Sequence, residues 1–432
     1  SGLKYFPKLC NDLQIDYNNC KKLVIAKDDE EKKTLVRLYE QGLTNSCEGL
    51  SLIDRKQIES LQPSLYNDSK DHSGPEYALF SEKTAVVSPY EFTIALAENA
   101  LLNGAVIKTS SEVNSITKIS GNDGGMTEDL FQVGTKSGFS ANGRFVVNAA
   151  GLYSDKVAAL IDSVEPKIYP WRGEYYILEK KSTKLVNMAI YPVPPSDGAG
   201  LGVHLTPTVH DNLLIGPSAE FTDFPENLEN TTPTMKQLMK EAWEMVPDLR
   251  AYTAIKNFSG MRAKLFGPES SSGFEDYYIK ESANIPNLIH LIGIESPGLT
   301  AAPAIAHHII ENFIGKIMDL KPNPLFSWKR QGPVRIRDLD NSNFRSLTEK
   351  DPAYGEIICF CSRVSKGEIR EALHSPLSSE VFSSDKRGIG ILNAIKKRTH
   401  SLMGDCQGGR CLSRILQVVE EELGISAEEV LR

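Results

Sequence analysis

Four cysteines near the C-terminus have the spacing of a metal centre: Cys359-Phe360-Cys361 and, further on, Cys406-Gln407-Gly408-Gly409-Arg410-Cys411. Thiolates at i and i+2 reach one centre when the backbone wraps around it, and the glycines between Cys406 and Cys411 permit that wrapping. Cys411 then stands near the start of a helix expected over residues 412–422, where backbone N–H groups favour thiolates and a negatively charged cluster. Four thiolates suit iron–sulfur or structural zinc, and spacing leaves both open. Inert core cysteines fit poorly with two close pairs beside glycines and charged residues. For Cys10, Cys20 and Cys47 that plainer reading is the better one.

A second unit with chemical content is Phe145-Val146-Val147-Asn148-Ala149-Ala150-Gly151, followed by Ser154 and Asp155. A buried strand running into three small residues and a helix start lets a ligand approach the backbone at the carboxyl end of a parallel strand. Ordinary strand–helix packing gives the same pattern. Residues 287–294 repeat the arrangement as an apolar strand, with a glycine-rich loop and a helix over 303–314 after it.

These pieces need a scaffold, and the 432-residue chain is long enough for two or three domains. With 41% hydrophobic and 24% charged residues it reads as an ordinary globular protein. A formal net charge of −8 argues against general affinity for nucleic acid or anionic membranes. No apolar run suffices for a transmembrane segment and no secretory signal is seen, so a reducing, cytoplasmic location is expected.

The periodicity predicts a mostly helical stretch over residues 1–62, with an amphipathic helix over 30–41 ended by Gly42 and a short one over 54–61. Ser88-Pro89-Tyr90-Glu91 offers a cap, a first-turn proline and a capping box for a helix to Asn103. Strands follow at 105–109, 113–119, 130–135 and 144–148, with a turn over 121–125. Residues 168–257 favour a second, mainly antiparallel sheet from strands at 174–178, 185–191, 202–205 and 213–216, interrupted by a helix over 234–245. A proline-rich, charged connector covers 319–355. From Ile357 the chain becomes a compact helical module, where Ser365 and Glu368 form a second capping box.

Several stretches together resemble the D-amino-acid-oxidase-type flavoproteins, in the branch of FAD-dependent glycerol-3-phosphate and L-2-hydroxyglutarate dehydrogenases. They are residues 3–10, 87–91, 147–155 and 172–176, then Gly202-Val203-His204-Leu205-Thr206-Pro207 and Gly293-Ile294-Glu295-Ser296-Pro297-Gly298-Leu299-Thr300. Residues 357–415 resemble the bacterioferritin-associated-ferredoxin-like [2Fe-2S] module, most strongly at Asp405 to Cys411. That module usually has arginine between its first two cysteines and glutamate after them; here Phe360 and Ser362 stand there, which alters the electrostatics around the cluster. This sequence contains no strand–G-x-G-x-x-G–helix unit to hold the FAD diphosphate. Truncation, a separate chain supplying the segment, and a noncatalytic remnant are the alternatives, with truncation or division of a functional enzyme preferred.

The resemblance implies an α/β, D-amino-acid-oxidase-like FAD/NAD(P)-binding fold with a mixed or antiparallel substrate sheet and a small helical [2Fe-2S] domain. Residues 1–318 would be the flavoprotein region, with 1–84 and 166–284 on the substrate side and 85–165 and 285–318 on the FAD side. Residues 356–432 would hold the cluster. Arg262 matches the arginine that grips a substrate anion, and His204, Tyr175 and Arg172 are further substrate-side candidates. Val113, Ala149, Ala150, Gly151, Gly293, Gly298, Leu299 and Thr300 would contact FAD, and Cys359, Cys361, Cys406 and Cys411 would ligate the cluster. The implied activity is oxidation of glycerol 3-phosphate or a related L-2-hydroxy acid, with electrons passing through the cluster to a protein acceptor or companion oxidoreductase subunit. A noncatalytic iron–sulfur electron-transfer subunit is the alternative. The glycine-lysine-threonine segment of better-known glycerol-3-phosphate dehydrogenases is not found, which weakens the phosphate assignment.

Overall fold

The computed structural model describes residues 2–66, 74–123, 126–194, 202–270, 275–378 and 388–432. They form two compact units, each built from separate stretches of chain: Ser1–Tyr5, Tyr17–Val86 and Glu112–Leu320 in one, Phe6–Asp16, Val87–Ser111 and Lys321–Arg432 in the other.

The first unit is organised by a sheet of nine described strands. Its path runs Glu220–Phe221, Tyr169–Leu178, Leu213–Gly216, His204–Pro207, Ala189–Pro192, Lys22–Ala26, Tyr77–Ser81 and Leu50–Asp54, with Ala254–Lys264 paired to Tyr169–Leu178 off that path. All these pairings are antiparallel except the parallel one between Ala189–Pro192 and Lys22–Ala26, so the sheet is mixed. Two of its strands come from the first 62 residues, expected to be mostly helical; there Lys22–Ala26 is a near-continuous apolar run whose last four residues are buried. Short buried strands carry no alternation and so escape a periodicity test. One side of the sheet is closed by helix Thr232–Met245, whose Met235, Leu238 and Ala242 pack on Ile190, Leu205, Leu213 and Ile215.

Two smaller sheets belong to the same unit. Val146–Asn148 and Leu288–Ile292 pair in parallel, with Tyr278–Glu281 antiparallel beside the latter. Val113–Asp123, Met126–Thr135 and Ser140–Gly143 form an antiparallel meander. The strand persists through Gly121 to Asp123, where a turn was expected, and Gly124 and Gly125 lie outside the described residues. Residues 105–109 form no strand. Helix Asp29–Thr44 runs past Gly42, against which Leu50 packs.

The second unit places helix Phe6–Leu13 against helix Pro89–Leu102 through stacked Phe6 and Phe92, ring centroids 4.8 Å apart. Ser88 caps the latter as its sequence predicts, but Glu91 does not return the bond. Its carboxylate goes to Arg335 at 3.1 Å and to His400. A long-range partner outcompetes the local one. The cysteine segment folds as a bulged hairpin, Ile357–Cys359 with Val364–Ser365. Helices Lys366–Leu373, Gly388–Thr399, Leu412–Leu423 and Ala427–Leu431 surround it over a core of Ile358, Val364, Ile369, Ile395, Ile415 and Val419. The Ser365–Glu368 capping box is present in full. No described helix is long and apolar enough to cross a membrane.

Candidate active site and cysteine centre

Strand alternation decides which predicted residues can meet. In the register of Tyr169–Leu178 with Ala254–Lys264, Trp171 faces Arg262, Gly173 faces Gly260 and Tyr175 faces Phe258. Directly opposed residues share a sheet face, and neighbours along a strand do not. Arg262 and Tyr175 therefore lie on one face and Arg172 on the other. On that first face the row continues from Tyr175 through Gly216 to His204 and Tyr191.

The row is aromatic and cationic. Tyr175 stacks on Phe258 at 4.9 Å, and His204 on Tyr191 at 3.9 Å with 8° between the planes. Arg262 donates to the Ser218 carbonyl at 2.8 Å and to the Tyr175 hydroxyl. Burial pushes His204 down to about 4; hydrogen bonding to the Gly202 carbonyl opposes this, while Arg262 and Lys22 push the same way. At neutral pH the ring is uncharged and can accept a proton. Lys22 and Lys264, both held below the usual lysine range chiefly by burial, add cations that spacing did not bring out. Lys264 was legible in one respect: it stands two residues from Arg262, the period of one strand face.

The loop after Leu288–Ile292 reaches this face through Glu295, and the turn after Val146–Asn148 lies beside it at the end of the partner strand. Asn148 ends its parallel strand buried and pins the turn after it: its side-chain amide donates to the Ser154 carbonyl at 2.7 Å, and its Oδ1 accepts from Ala150 N–H at 3.3 Å. Behind it His290 bridges Asn148 at 3.2 Å and Asp162 at 3.3 Å, a buried support that sequence reasoning missed. Ala149 and Gly151 are exposed at the strand's carboxyl end. Gly293 follows the partner strand with φ +76°, where a Cβ would come within 2.3 Å of the Leu265 side chain. Glu295 then approaches Lys264 at 3.9 Å, both side chains nearly buried. Burial raises the Glu295 carboxyl, against the pull of Lys264 and Arg262. Gly298, Leu299 and Thr300 open helix Gly298–Asn312, with the Thr300 carbonyl lying against Gly2. Val113 packs into a core with Ile116, Phe131 and Leu288.

Arg172 is engaged elsewhere. Its guanidinium binds Glu220 at 2.7 Å, Asn227 at 3.2 Å and Glu174 at 3.5 Å, and Glu174 accepts from Thr231 N–H at 2.8 Å where helix Thr232–Met245 begins. That is a buried structural network on the far face.

The cysteines gather in the second unit. Cys359 and Cys361 have sulfurs 3.7 Å apart, Cys359 contacts Cys411, and Cys361 contacts Cys406. Among the described residues, no three of these sulfurs lie within 4.8 Å of one another. Backbone N–H groups point at them: Arg410 and Gly408 at Cys406, Leu402 at Cys411 and Ser362 at Cys359. The Cys359 thiol, donating to Cys411, brings the latter down to about 7, against burial. Left-handed backbone at Arg363, His400, Leu402 and Gln407 bends the chain around the group. Gly404 admits the Cys361 sulfur, which would lie 2.4 Å from any Cβ there.

The parallel-strand turns, the glycine packed on Leu265 and the cationic sheet face all lie in the first unit. The family described as FAD dependent oxidoreductase matches residues 1–312. The chain belongs to this family. It is 34% identical over 431 residues to glycerol 3-phosphate dehydrogenase of Caloramator mitchellensis, covering 99% of this chain and 82% of that relative. It is 30% identical to mitochondrial L-2-hydroxyglutarate dehydrogenase of Nematostella vectensis over 350 residues, 72% of this chain and 75% of the relative. The fold is similar to that of FAD-bound L-alpha-glycerophosphate oxidase from Mycoplasma pneumoniae, with a TM-score of 0.65 and 24% identity over 77% of this chain and 82% of that one.

As an FAD-dependent oxidoreductase the chain is an enzyme with the mixed α/β architecture its sequence implied. Small residues at the carboxyl ends of paired parallel strands fit a nucleotide cofactor that needs close backbone approach. Four convergent thiols with N–H donors aimed at them fit a metal–sulfur group.

Proposed function

We propose that this FAD-dependent oxidoreductase is a dehydrogenase of a small anionic hydroxy compound, glycerol 3-phosphate first and a short L-2-hydroxy acid second, that delivers electrons through a [2Fe-2S] cluster to a protein acceptor. The carrying observation is the approach of Glu295, on the flavin-side loop, to Lys264, on the sheet face that also bears Arg262 and His204. The nearly full-length similarity to a glycerol 3-phosphate dehydrogenase favours the phosphate.

Arg262 would grip the substrate's anionic end, with its guanidinium already oriented by Ser218 and Tyr175. Neutral His204 would take the hydroxyl proton through Nε2, since Nδ1 is engaged with the Gly202 carbonyl at 3.1 Å. Bound FAD would supply the hydride acceptor for the carbon bearing that hydroxyl. The Tyr175 and Phe258 rings would keep water from the reacting carbon. A [2Fe-2S] group on Cys359, Cys361, Cys406 and Cys411 would supply one-electron transfer.

The test is a joint assay of flavin, iron and acid-labile sulfide on purified holoprotein, followed by anaerobic addition of glycerol 3-phosphate or L-2-hydroxyglutarate. Bleaching of the flavin by one of them, with two irons and two sulfides per chain, is expected. Zinc without sulfide, or a flavin that neither compound reduces, sinks the reading.

A further inference from the structure

The Asn148 side-chain amide has only one orientation that satisfies its neighbours. Its Oδ1 meets the Ala150 N–H at 3.3 Å, a group that can only donate. Its Nδ2 meets the Ser154 carbonyl at 2.7 Å, a group that can only accept. The second hydrogen of Nδ2 is then the one shared with His290 Nδ1, 3.2 Å away. That ring nitrogen must be an acceptor and carries no proton. The opposite nitrogen, Nε2, lies 3.3 Å from Asp162 Oδ2 and holds the single proton of the ring. Two backbone groups thus fix the tautomer and the charge of a histidine that is 0% exposed.

The surroundings agree with a neutral ring. Burial holds His290 below the ordinary histidine value, against the pull of Asp162. Asp162 also accepts from the Ser163 N–H at 2.8 Å and from the Ser282 hydroxyl. On the neighbouring strands Asn148 stands opposite His290 in the parallel register and Lys280 in the antiparallel one. Lys280 is exposed, its ammonium 5.0 Å from the centre of the Tyr278 ring.

We infer that His290 is a positioning residue for the flavin: its neutral, Nε2-protonated ring orients Asn148, which holds both ends of the Ala149–Gly151 turn in place for the cofactor. The inference rests on the reading of that turn as an FAD contact. A second proton on the ring would set an N–H of His290 against an N–H of Asn148. Turning the amide over relieves that clash only by setting its NH2 against the Ala150 N–H and its oxygen against the Ser154 carbonyl. Either way the turn loses a bond that closes it. Protonation of His290 and closure of the turn on FAD therefore compete. Affinity is complete above the ordinary histidine value of about 6.5 and falls as pH drops, by at most about tenfold per pH unit for one proton.

The test titrates FAD into flavin-stripped protein between about pH 8 and pH 5, reading flavin fluorescence, for the native chain, His290→Gln and His290→Leu. Glutamine offers Asn148 an acceptor and Asp162 a donor, and takes up no proton in this range. Native affinity should be flat at the alkaline end and about tenfold weaker or more at the acid end. His290→Gln should bind FAD and lose that acid weakening. His290→Leu, which leaves an Asn148 hydrogen without an acceptor, should bind about tenfold more weakly at the alkaline end. Histidine-selective nitrogen NMR spectra of the native protein, with His290 assigned by its loss in His290→Gln, read the tautomer whether or not flavin is bound. They should show Nε2 protonated and Nδ1 bare at neutral pH. An Nδ1-protonated or doubly protonated ring overturns the inference. So does acid weakening that persists in His290→Gln, or a leucine variant that binds as tightly as the native protein, and either result leaves the turn as a flavin contact. A protein that takes up no FAD at any pH overturns that reading and the inference with it.

Discussion

The His204 imidazole lies flat on the Tyr191 ring, 3.9 Å between centroids and 8° between planes, in a cross-strand row with Tyr175. Burial, with the charges of Arg262 and Lys22 adding to it, holds this histidine neutral far below the pH at which a free imidazole takes up a proton. Its folded value of about 4 lies below the unfolded value of about 6.5. Between those values the unfolded chain binds a proton that the folded site refuses. The contribution to stability is therefore complete above about pH 6.5 and is lost as pH falls toward 4. In kinetics, the acid limb of turnover should fall near pH 4 rather than 6.5. His204→Gln should lower kcat by about a hundredfold and abolish that limb. A limb that stays in place in the variant would assign the proton to another group.

Arg262 and Arg172 should separate function from stability. Arg262→Gln should cut kcat/KM by about a hundredfold or more with a nearly native melting temperature if its charge serves the proposed substrate anion. Arg262→Lys should recover little, since one ammonium cannot serve Ser218, Tyr175 and an anion as a planar fork does. Arg172→Gln leaves buried Glu174 without its cation and should destabilise by about 3–5 kcal/mol. Steady-state kinetics with thermal melts on the three variants decide this.

Gly404→Ala brings a methyl group onto the Cys361 sulfur, 2.4 Å from where it now lies. Iron and sulfide content should fall well below the native level. The far-ultraviolet dichroism should barely change, since residue 404 lies outside the helices. Full iron occupancy in the alanine variant would show that Cys361 is not a ligand.

Glu98 accepts from Arg330 at 2.5 Å and from Arg398 at 3.1 Å, all three side chains nearly buried. Glu98→Gln strands two guanidinium groups away from water. A loss of about 3–5 kcal/mol is expected, read as a lower denaturant midpoint. Arg330→Met/Glu98→Leu/Arg398→Met, which removes all three charges, should recover most of it.

Local signals were read well from sequence. Ser88 with Pro89, and the Ser365–Glu368 box, start helices where they were expected because capping depends only on residues within one turn. The carboxyl-end turn at Ala149–Gly151 followed from strand and small-residue patterning in the same way. What depended on distant pairing was not legible. No property of residues 172 and 262 taken alone places them on opposite faces; the register with a strand some ninety residues away does. Strands Lys22–Ala26 and Leu50–Asp54 were hidden among helical sequence because their partners lie elsewhere in the chain. The spacing of Lys264 from Arg262 was visible in the sequence, but its approach to Glu295 depends on how a distant loop folds back on the strand.

The cysteine-bearing unit borrows two early stretches of chain, Phe6–Asp16 and Val87–Ser111. It is thus not a removable C-terminal appendage. Stopping translation after Leu320 would leave the Glu91 and Glu98 carboxylates without Arg330, Arg335 and Arg398, which now pair with them. A shortened gene product should therefore aggregate instead of surviving as a smaller oxidoreductase. Any ancestral joining of the two units must have rewritten the interior of the older one.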